Sequence, residues 1–244
     1  MSGRLYIVPT PVGNLGDMTP RAVETLKAVD LVLCEDTRTS GVLLKHFGIT
    51  TPTASHHKYN EHDTSSRIVA RLLGGENIAL VSDAGTPGIS DPGFMLVRDA
   101  RAAGIDVETL PGPTALIPAL VNSGLPCDRF TFEGFLPPKK GRRTRLEELS
   151  VEPRTFVIYE SPLRVAATLK DLADSCGGTR RAAVCREISK MHDTTYTGTL
   201  SELAEYFTSN QARGEIVIVV EGIAGSAPKR IHRNKYRDSA DAEE

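Results

Sequence analysis

Two rhythms of apolar and polar positions alternate along the chain. Short apolar runs are separated by longer stretches in which apolar residues recur every three or four positions. In the first half, Arg4–Val8, Leu31–Cys34, Asn77–Ser82 and Asp106–Leu110 predict strands. Between them the helical period predicts a helix opening at Thr19-Pro20, then Ser40–Phe47, Ser65–Leu73, Gly93–Ala103 and Thr114–Ser123. Thr19 supplies a capping hydroxyl. Pro20 suits the first helical position because its missing N–H would have no partner there. Gly48 and Gly74-Gly75 stop their helices. Asn77–Ser82 is apolar without alternation, the pattern of a strand covered on both faces.

Strand-then-helix repetition predicts βαβ units and a doubly wound parallel sheet. The second half repeats the style, with strands at Arg129–Glu133, Thr155–Tyr159, Arg180–Arg186 and Glu215–Glu221 and helices at Leu163–Ala173 and Ser201–Phe207. The pattern breaks at Asn122–Asp128. The reading is therefore an α/β protein of two domains, 1–122 with a parallel sheet and 123–224 with a mixed one. Residues 225–244 carry a basic run and then an acidic end, without apolar period, and predict a disordered tail.

Composition adds exclusions. With 244 residues, 40% hydrophobic and 25% charged, the chain can bury a core and is not wholly disordered. No apolar run approaches the ~20 residues of a membrane helix, and the N-terminus lacks the apolar region of a signal peptide. Cys34, Cys127, Cys176 and Cys185 are scattered, without a Cys-x-x-Cys pair, against a disulfide scaffold or zinc ribbon. A reduced, cytoplasmic setting without a structural metal is the expectation. The net charge of -2 leaves nucleic-acid binding to local patches.

Candidate chemistry sits at the strand ends. Ser82–Pro92 (SDAGTPGISDP) follows the most apolar strand, where ligands bind in open α/β sheets. Asp83 could hold an ammonium or hydroxyl group, or the segment could be a rigid turn with Asp91 capping the next helix. Leu110–Ala115 (LPGPTA) is a second such loop, with Thr114 read as an N-cap. Pro9–Asp17 is neither a G-x-G-x-x-G nor a Walker A loop. Glu35, Asp36 and Arg38 offer a general base or a phosphate contact, or an ordinary acidic helix start. Pro137–Arg145 holds five cations (Lys139, Lys140, Arg142, Arg143 and Arg145) and no acid. It reads as an exposed basic loop suited to RNA phosphates. His56–Tyr59, with His57 and Lys58, offers a cationic and aromatic surface for a base, without the partners of a metal site. Arg186–Lys190 ends a strand and faces either a cleft or solvent.

Read in order, VPTPVGNLGDMT, CEDTRTS, LVSDAGTPGISDPG, LPGPTALIPALVNSGLP, FEGFLPPKKGRRTRLEEL, FVIYESPLRV, REISK and GEIVIVVEG resemble the ribosomal RNA small-subunit methyltransferase I family of the tetrapyrrole-methylase superfamily, from about Leu5 to Gly222. The resemblance implies S-adenosylmethionine held between two α/β domains, and transfer to the ribose 2'-hydroxyl of a decoding-region cytidine in 16S ribosomal RNA. The acceptor would be naked RNA or the assembled small subunit, and the enzyme a homodimer. Carried over by motif position, cofactor contacts are Val12, Ser82, Asp83, Ala84, Thr86, Thr114, Ala115, Glu160 and Ile188. RNA contacts fall on Arg38, His57, Lys58 and the 139–145 cations. Family members that continue into a helical extension differ from this chain, so Lys229–Arg237 is a further candidate. Base candidates are Asp36, Glu35, Glu187 and Lys190. Rival readings are methylation of a tetrapyrrole precursor, methylation of a diphthine-type residue, and a non-catalytic RNA-binding assembly factor.

Overall fold

Strands that are apolar on both faces need cover on both faces, and the central strands here obtain it. The computed structural model describes residues 2–58 and 60–223. The basic and acidic tail and Tyr59 therefore lie outside the described residues. The first sheet comprises β1 (Arg4–Ile7), β2 (Leu31–Cys34), β3 (Thr53–Ser55), β4 (Ile78–Val81) and β5 (Asp106–Thr109) in the order β3-β2-β4-β1-β5, with every pairing parallel. All four residues of β2 and of β4 are buried.

Helices α1 (Pro20–Ala28) and α2 (Thr37–His46) cover one face, burying Ala22, Leu26 and Leu44 with Val32 and Val81. Helices α3 (Glu61–Leu73) and α4 (Phe94–Ala102) cover the other, where Ile68, Leu72 and Leu96 meet Leu5, Leu33 and Leu80. The Thr19 cap forms, its hydroxyl accepting the Ala22 N–H at 3.1 Å. Helix α2 starts three residues before the expected Ser40, because the Asp36 carboxylate accepts the Arg38 N–H at 2.8 Å.

The second sheet comprises β6 (Phe130–Phe135), β7 (Thr155–Glu160), β8 (Arg181–Arg186), β9 (Thr194–Thr199) and β10 (Ile216–Val220) in the order β6-β7-β10-β8-β9. Only β6 and β7 run parallel. Period-two alternation sorts its residues. Phe156, Ile158, Val184 and Ile218 face α6 (Arg142–Ser150), α7 (Val165–Cys176) and α8 (Leu200–Ser209). Val157, Ala183, Val217 and Val219 face the other way, onto Ala119 and Leu120 of α5 (Leu116–Asn122). Helix α5 follows the first sheet in sequence but packs on the second, so it fastens the two together.

Three elements escape the apolar pattern. β3 and β9 are polar edge strands, and α6 begins inside the basic stretch expected as a loop. Among the described residues no helix is long and apolar enough to cross a membrane. Leu120 is 2% exposed at the junction of the sheets. Leu120→Ala should lower stability by about 2–5 kcal/mol, the usual range for a buried leucine, as read from urea denaturation.

Candidate active site

Backbone pairing draws the strand-end loops of the first sheet together. Thr10 and Gly85 exchange two main-chain hydrogen bonds of 2.9 Å, which joins the loop after β1 to the loop after β4. The Thr10 hydroxyl donates to the Ser82 carbonyl at 3.0 Å. The Thr86 hydroxyl donates to the Pro113 carbonyl at 3.2 Å, which adds the loop after β5. Gly112 permits this closeness, since a Cβ there would lie 2.7 Å from that of Pro9.

The second half meets these loops at the carboxyl ends of β7 and β8 and the amino end of β10. Between them lies a cleft of about 340 Å³, within the range of small-molecule sites. Val12, Ala84, Ala115, Ile216 and Val217 give it apolar walls. Thr86, Asp91, Thr114, Tyr159 and Glu215 give it polar groups. Ser90, on its edge, holds a φ of 65°, a left-handed conformation rare for a residue with a Cβ.

Thr114 does not cap α5. The cap position of that helix is Ala115, which has no capping side chain; Thr114 instead lines the cleft with Tyr159, whose phenol pKa burial raises. Nor does Asp91 cap α4. The Glu61 carboxylate does so from α3, accepting the Gly93 and Met95 N–H groups at 3.0 and 3.2 Å. Asp91 is left to face the cleft.

Four carboxylates gather at the ends of β2 and β4 and divide into two kinds. Asp36 accepts from the Arg38 backbone and from its guanidinium at 3.1 and 2.8 Å, which holds its pKa near about 2. Glu35, Asp83 and Asp91 move the other way. Burial pushes Glu35 up, and the Asp83 charge adds to it. Burial also raises Asp83, whose carboxylate accepts the Asp36 N–H at 3.2 Å. Asp91 is pushed up to about 6, by burial first and then by the charge of Glu35. Asp91 is the one of the three that lines the cleft, so a cation there relieves it, and this residue suits a positively charged ligand.

The remaining expected residues are distributed unevenly. Ser82 is buried under the cleft loop, its hydroxyl directed at the Ala84 carbonyl at 3.3 Å. Glu160 lines the cleft, but its carboxylate is spent internally. It accepts the Ser161 N–H at 2.7 Å, the Arg164 guanidinium at 2.9 Å and the Thr168 hydroxyl at 2.6 Å. Ile188 faces a more open neighbouring hollow of about 700 Å³, which shares the Val12 and Thr114 walls.

Glu187 and Lys190 form an ion pair at 2.9 Å, with Glu215 3.3 Å from the same ammonium. The Glu215 backbone N–H and Lys190 lower the Glu187 pKa. Burial disfavours the Lys190 charge, but the two carboxylates outweigh it and raise its pKa. The pair favours the charged form of Lys190, whose stem packs against Gly13. Ser189 bonds to Asp17, adding another tie between the halves.

The basic stretch also divides. Arg142 is tied down, donating to Asp171 at 2.8 Å, to Thr168 at 2.9 Å and to the Pro137 carbonyl at 3.3 Å. Arg145 pairs with Glu133 and Glu148. These two cations hold the loop rather than present it. Lys139 and Lys140 are exposed and make no ion pair among the described residues. Arg143 is exposed and pairs only along its own helix, with Glu147. Arg38 is exposed while bound to Asp36, His57 is half-buried and Lys58 is exposed. His56 is not surface at all. It is buried, with Nδ1 2.9 Å from the Thr64 hydroxyl, and it leaves the expected stacking surface.

Asp91, Phe135, Tyr159, Glu215, Ile216 and Val217 are site residues that sequence reasoning missed. Asp91 was legible as the second acid of SDAGTPGISDP, but its helix-cap alternative was equally compatible. Nothing in TFVIYE marks the tyrosine.

The chain matches the family described as Tetrapyrrole (Corrin/Porphyrin) Methylases over residues 4–204. It is 53% identical to the ribosomal RNA small subunit methyltransferase I of Synechocystis sp., over 93% of this chain and 81% of that protein. It is likewise 53% identical to the protein of that name from Xylella fastidiosa, over 94% and 85%. Among solved structures it resembles the uroporphyrin-III C-methyltransferase of Thermus thermophilus complexed with S-adenosyl homocysteine, with a TM-score of 0.61 and 20% identity over 91% of this chain and 98% of that one.

The raised pKa of Asp91 has a stability consequence. Folding keeps a proton on this carboxyl that the unfolded chain releases near pH ~4. Stability from this group is thus present below pH ~4 and is lost as pH rises through about 6. Asp91→Asn should match the parent at the acid end and become the more stable of the two toward pH 7. Urea midpoints across that range measure the gap.

Proposed function

Because the chain belongs to the ribosomal RNA small subunit methyltransferase I family of the tetrapyrrole methylases, we propose that it methylates the ribose 2'-hydroxyl of a decoding-region cytidine in 16S ribosomal RNA, with S-adenosylmethionine as donor. The observation that carries this reading is one continuous stretch of chain. Strand β6 lines the cleft at Phe135 and runs within five residues into the exposed cations Lys139 and Lys140. An RNA strand gripped by that loop lies at the mouth of the cleft.

The residues fit the donor. Val12, Ala84, Ala115, Ile216 and Val217 offer apolar walls to a nucleoside, and Thr86 and Thr114 stand beside them with hydroxyls. Asp91, on the cleft wall, is destabilised by burial and by the charge of Glu35, which a cationic ligand offsets. When bound, S-adenosylmethionine supplies a methyl group activated by a positively charged sulfur. Glu160 acts indirectly in this scheme, fixing the Ser161 turn on the cleft wall while its carboxylate stays bound to Arg164 and Thr168.

The chain's own chemical task is to position the acceptor and receive a proton. Positioning is worth up to ~7–11 kcal/mol and a general base ~100–10,000-fold, so positioning is the larger contribution. Of the acids near the cleft, Asp91 best suits the base. It lines the cleft and its pKa of about 6 leaves it ionised at neutral pH yet still proton-seeking. Asp36 is too acidic and Glu187 is held by Lys190. In the transfer the Asp91 carboxylate would take up the proton that the ribose hydroxyl releases. The same reading includes a homodimer, which light scattering of the purified chain reports.

The test is transfer of labelled methyl to small ribosomal subunits lacking the modification, with naked 16S RNA alongside, followed by mapping of the label. Label on the ribose of one decoding-region cytidine is the expected result, and label on a base or on no RNA overturns the reading. Asp91→Asn should lower kcat by about 100-fold or more while KM for the RNA stays nearly constant, as expected for loss of a general base.

A further inference from the structure

Strand β6 contains an irregularity that re-aims one side chain. In a regular strand, residues 132 and 135 point to opposite faces. Here the register against β7 shifts between Phe132 and Gly134, and Gly134 takes a φ of 62° that a residue with a Cβ rarely adopts. The extra residue turns Phe135 onto the face of Phe132. Both rings meet Tyr159 edge to face, at centroid separations of 5.8 and 4.9 Å. The next residue, Leu136, is buried with the helices on the other face.

The bulge is held from both sides. A Cβ on Gly134 would stand 2.9 Å from the Ser90 hydroxyl, so the cleft loop abuts it. Glu133, the extra residue, is ion-paired to Arg145 beyond the basic loop. Phe135 nevertheless remains 55% exposed while lining the cleft. A ring aimed at a cleft and left in water needs a ligand with an apolar face. Within eight residues along the chain stand Lys139, Lys140 and Arg143, cations suited to phosphates. Flat apolar faces linked by phosphates describe an unpaired nucleic-acid strand.

We infer that Phe135 is a stacking platform for an unpaired base of the substrate RNA, holding the strand so that its ribose enters the cleft. This rests on the proposed function and adds to it a positioning residue. Stacking tolerates any base, so the platform fixes where the strand lies rather than which sequence it carries.

The chain contains no tryptophan, so Phe135→Trp introduces a single reporter of that position. Titration with a short unpaired cytidine-containing RNA should quench its fluorescence at the concentrations at which a labelled copy of the same RNA binds. Phe135→Ala should raise KM for the ribosomal substrate about tenfold, the scale of one lost base–aromatic contact, and by clearly more than it weakens S-adenosylmethionine binding in the cleft that the ring also lines. Phe135→Tyr should restore KM. Unchanged fluorescence while the RNA is bound overturns the inference. So does a Phe135→Ala variant that loses cofactor affinity as much as RNA affinity, or one whose oligomeric state shifts, which would make the ring part of a subunit interface. Should the unaltered chain transfer no label to RNA, the functional reading falls, and the tryptophan titration still decides the stacking.

Discussion

The seating of helix α5 on the second sheet is the contact on which the site depends. The cleft has one wall from each sheet, so it has a shape only if the sheets are fixed relative to each other. Ala119 and Leu120 supply the apolar part of that fixation against Val157, Ala183, Val217 and Val219. The same helix emerges directly from the loop carrying Thr114 and Ala115. A small turn of α5 therefore moves two cleft residues with it. The Ser189–Asp17 bond and the Lys190 stem over Gly13 complete the joint with polar and close-packed contacts.

Electrostatics then divides the site. Asp91 on the cleft wall, with Glu35 and Asp83 at the ends of the neighbouring strands, is held at a raised pKa, while Asp36 beside them is kept ionised by Arg38. The rim itself is cationic at Lys139, Lys140 and Arg143. Acid inside and base outside suit a cationic small molecule in the cleft and a polyanion across its mouth, the pairing that the proposed reaction needs.

Most of the fold was legible because its central strands are buried on both faces. LVLC, IALV and IVIVV permit little else, and Thr19-Pro20 marks its helix start unambiguously. What was missed lacked that signal. Thr53–Ser55 and TTYTGT are edge strands whose stability comes from one neighbouring strand rather than from apolar burial. The cleft loops were legible as strand-end loops, but the roles of single residues within them were not. Capping of α4 by Glu61 and the meeting of Thr114 and Tyr159 on one cleft are long-range arrangements, invisible to local pattern. Likewise Arg142 and Arg143 are neighbours of one type, and only the fold reveals that Asp171 and Thr168 claim the first.

That division of the basic stretch bears on ionic strength. Each phosphate neutralised on a single strand contributes roughly −0.7 to the slope of log affinity against log salt concentration. Five available cations would give about −3.5, whereas three give about −2. Binding through this loop alone would therefore weaken only about 16-fold between 50 and 200 mM salt, rather than more than 100-fold. Fewer counterions to release also means a grip that depends less on bulk electrolyte and more on apolar contact.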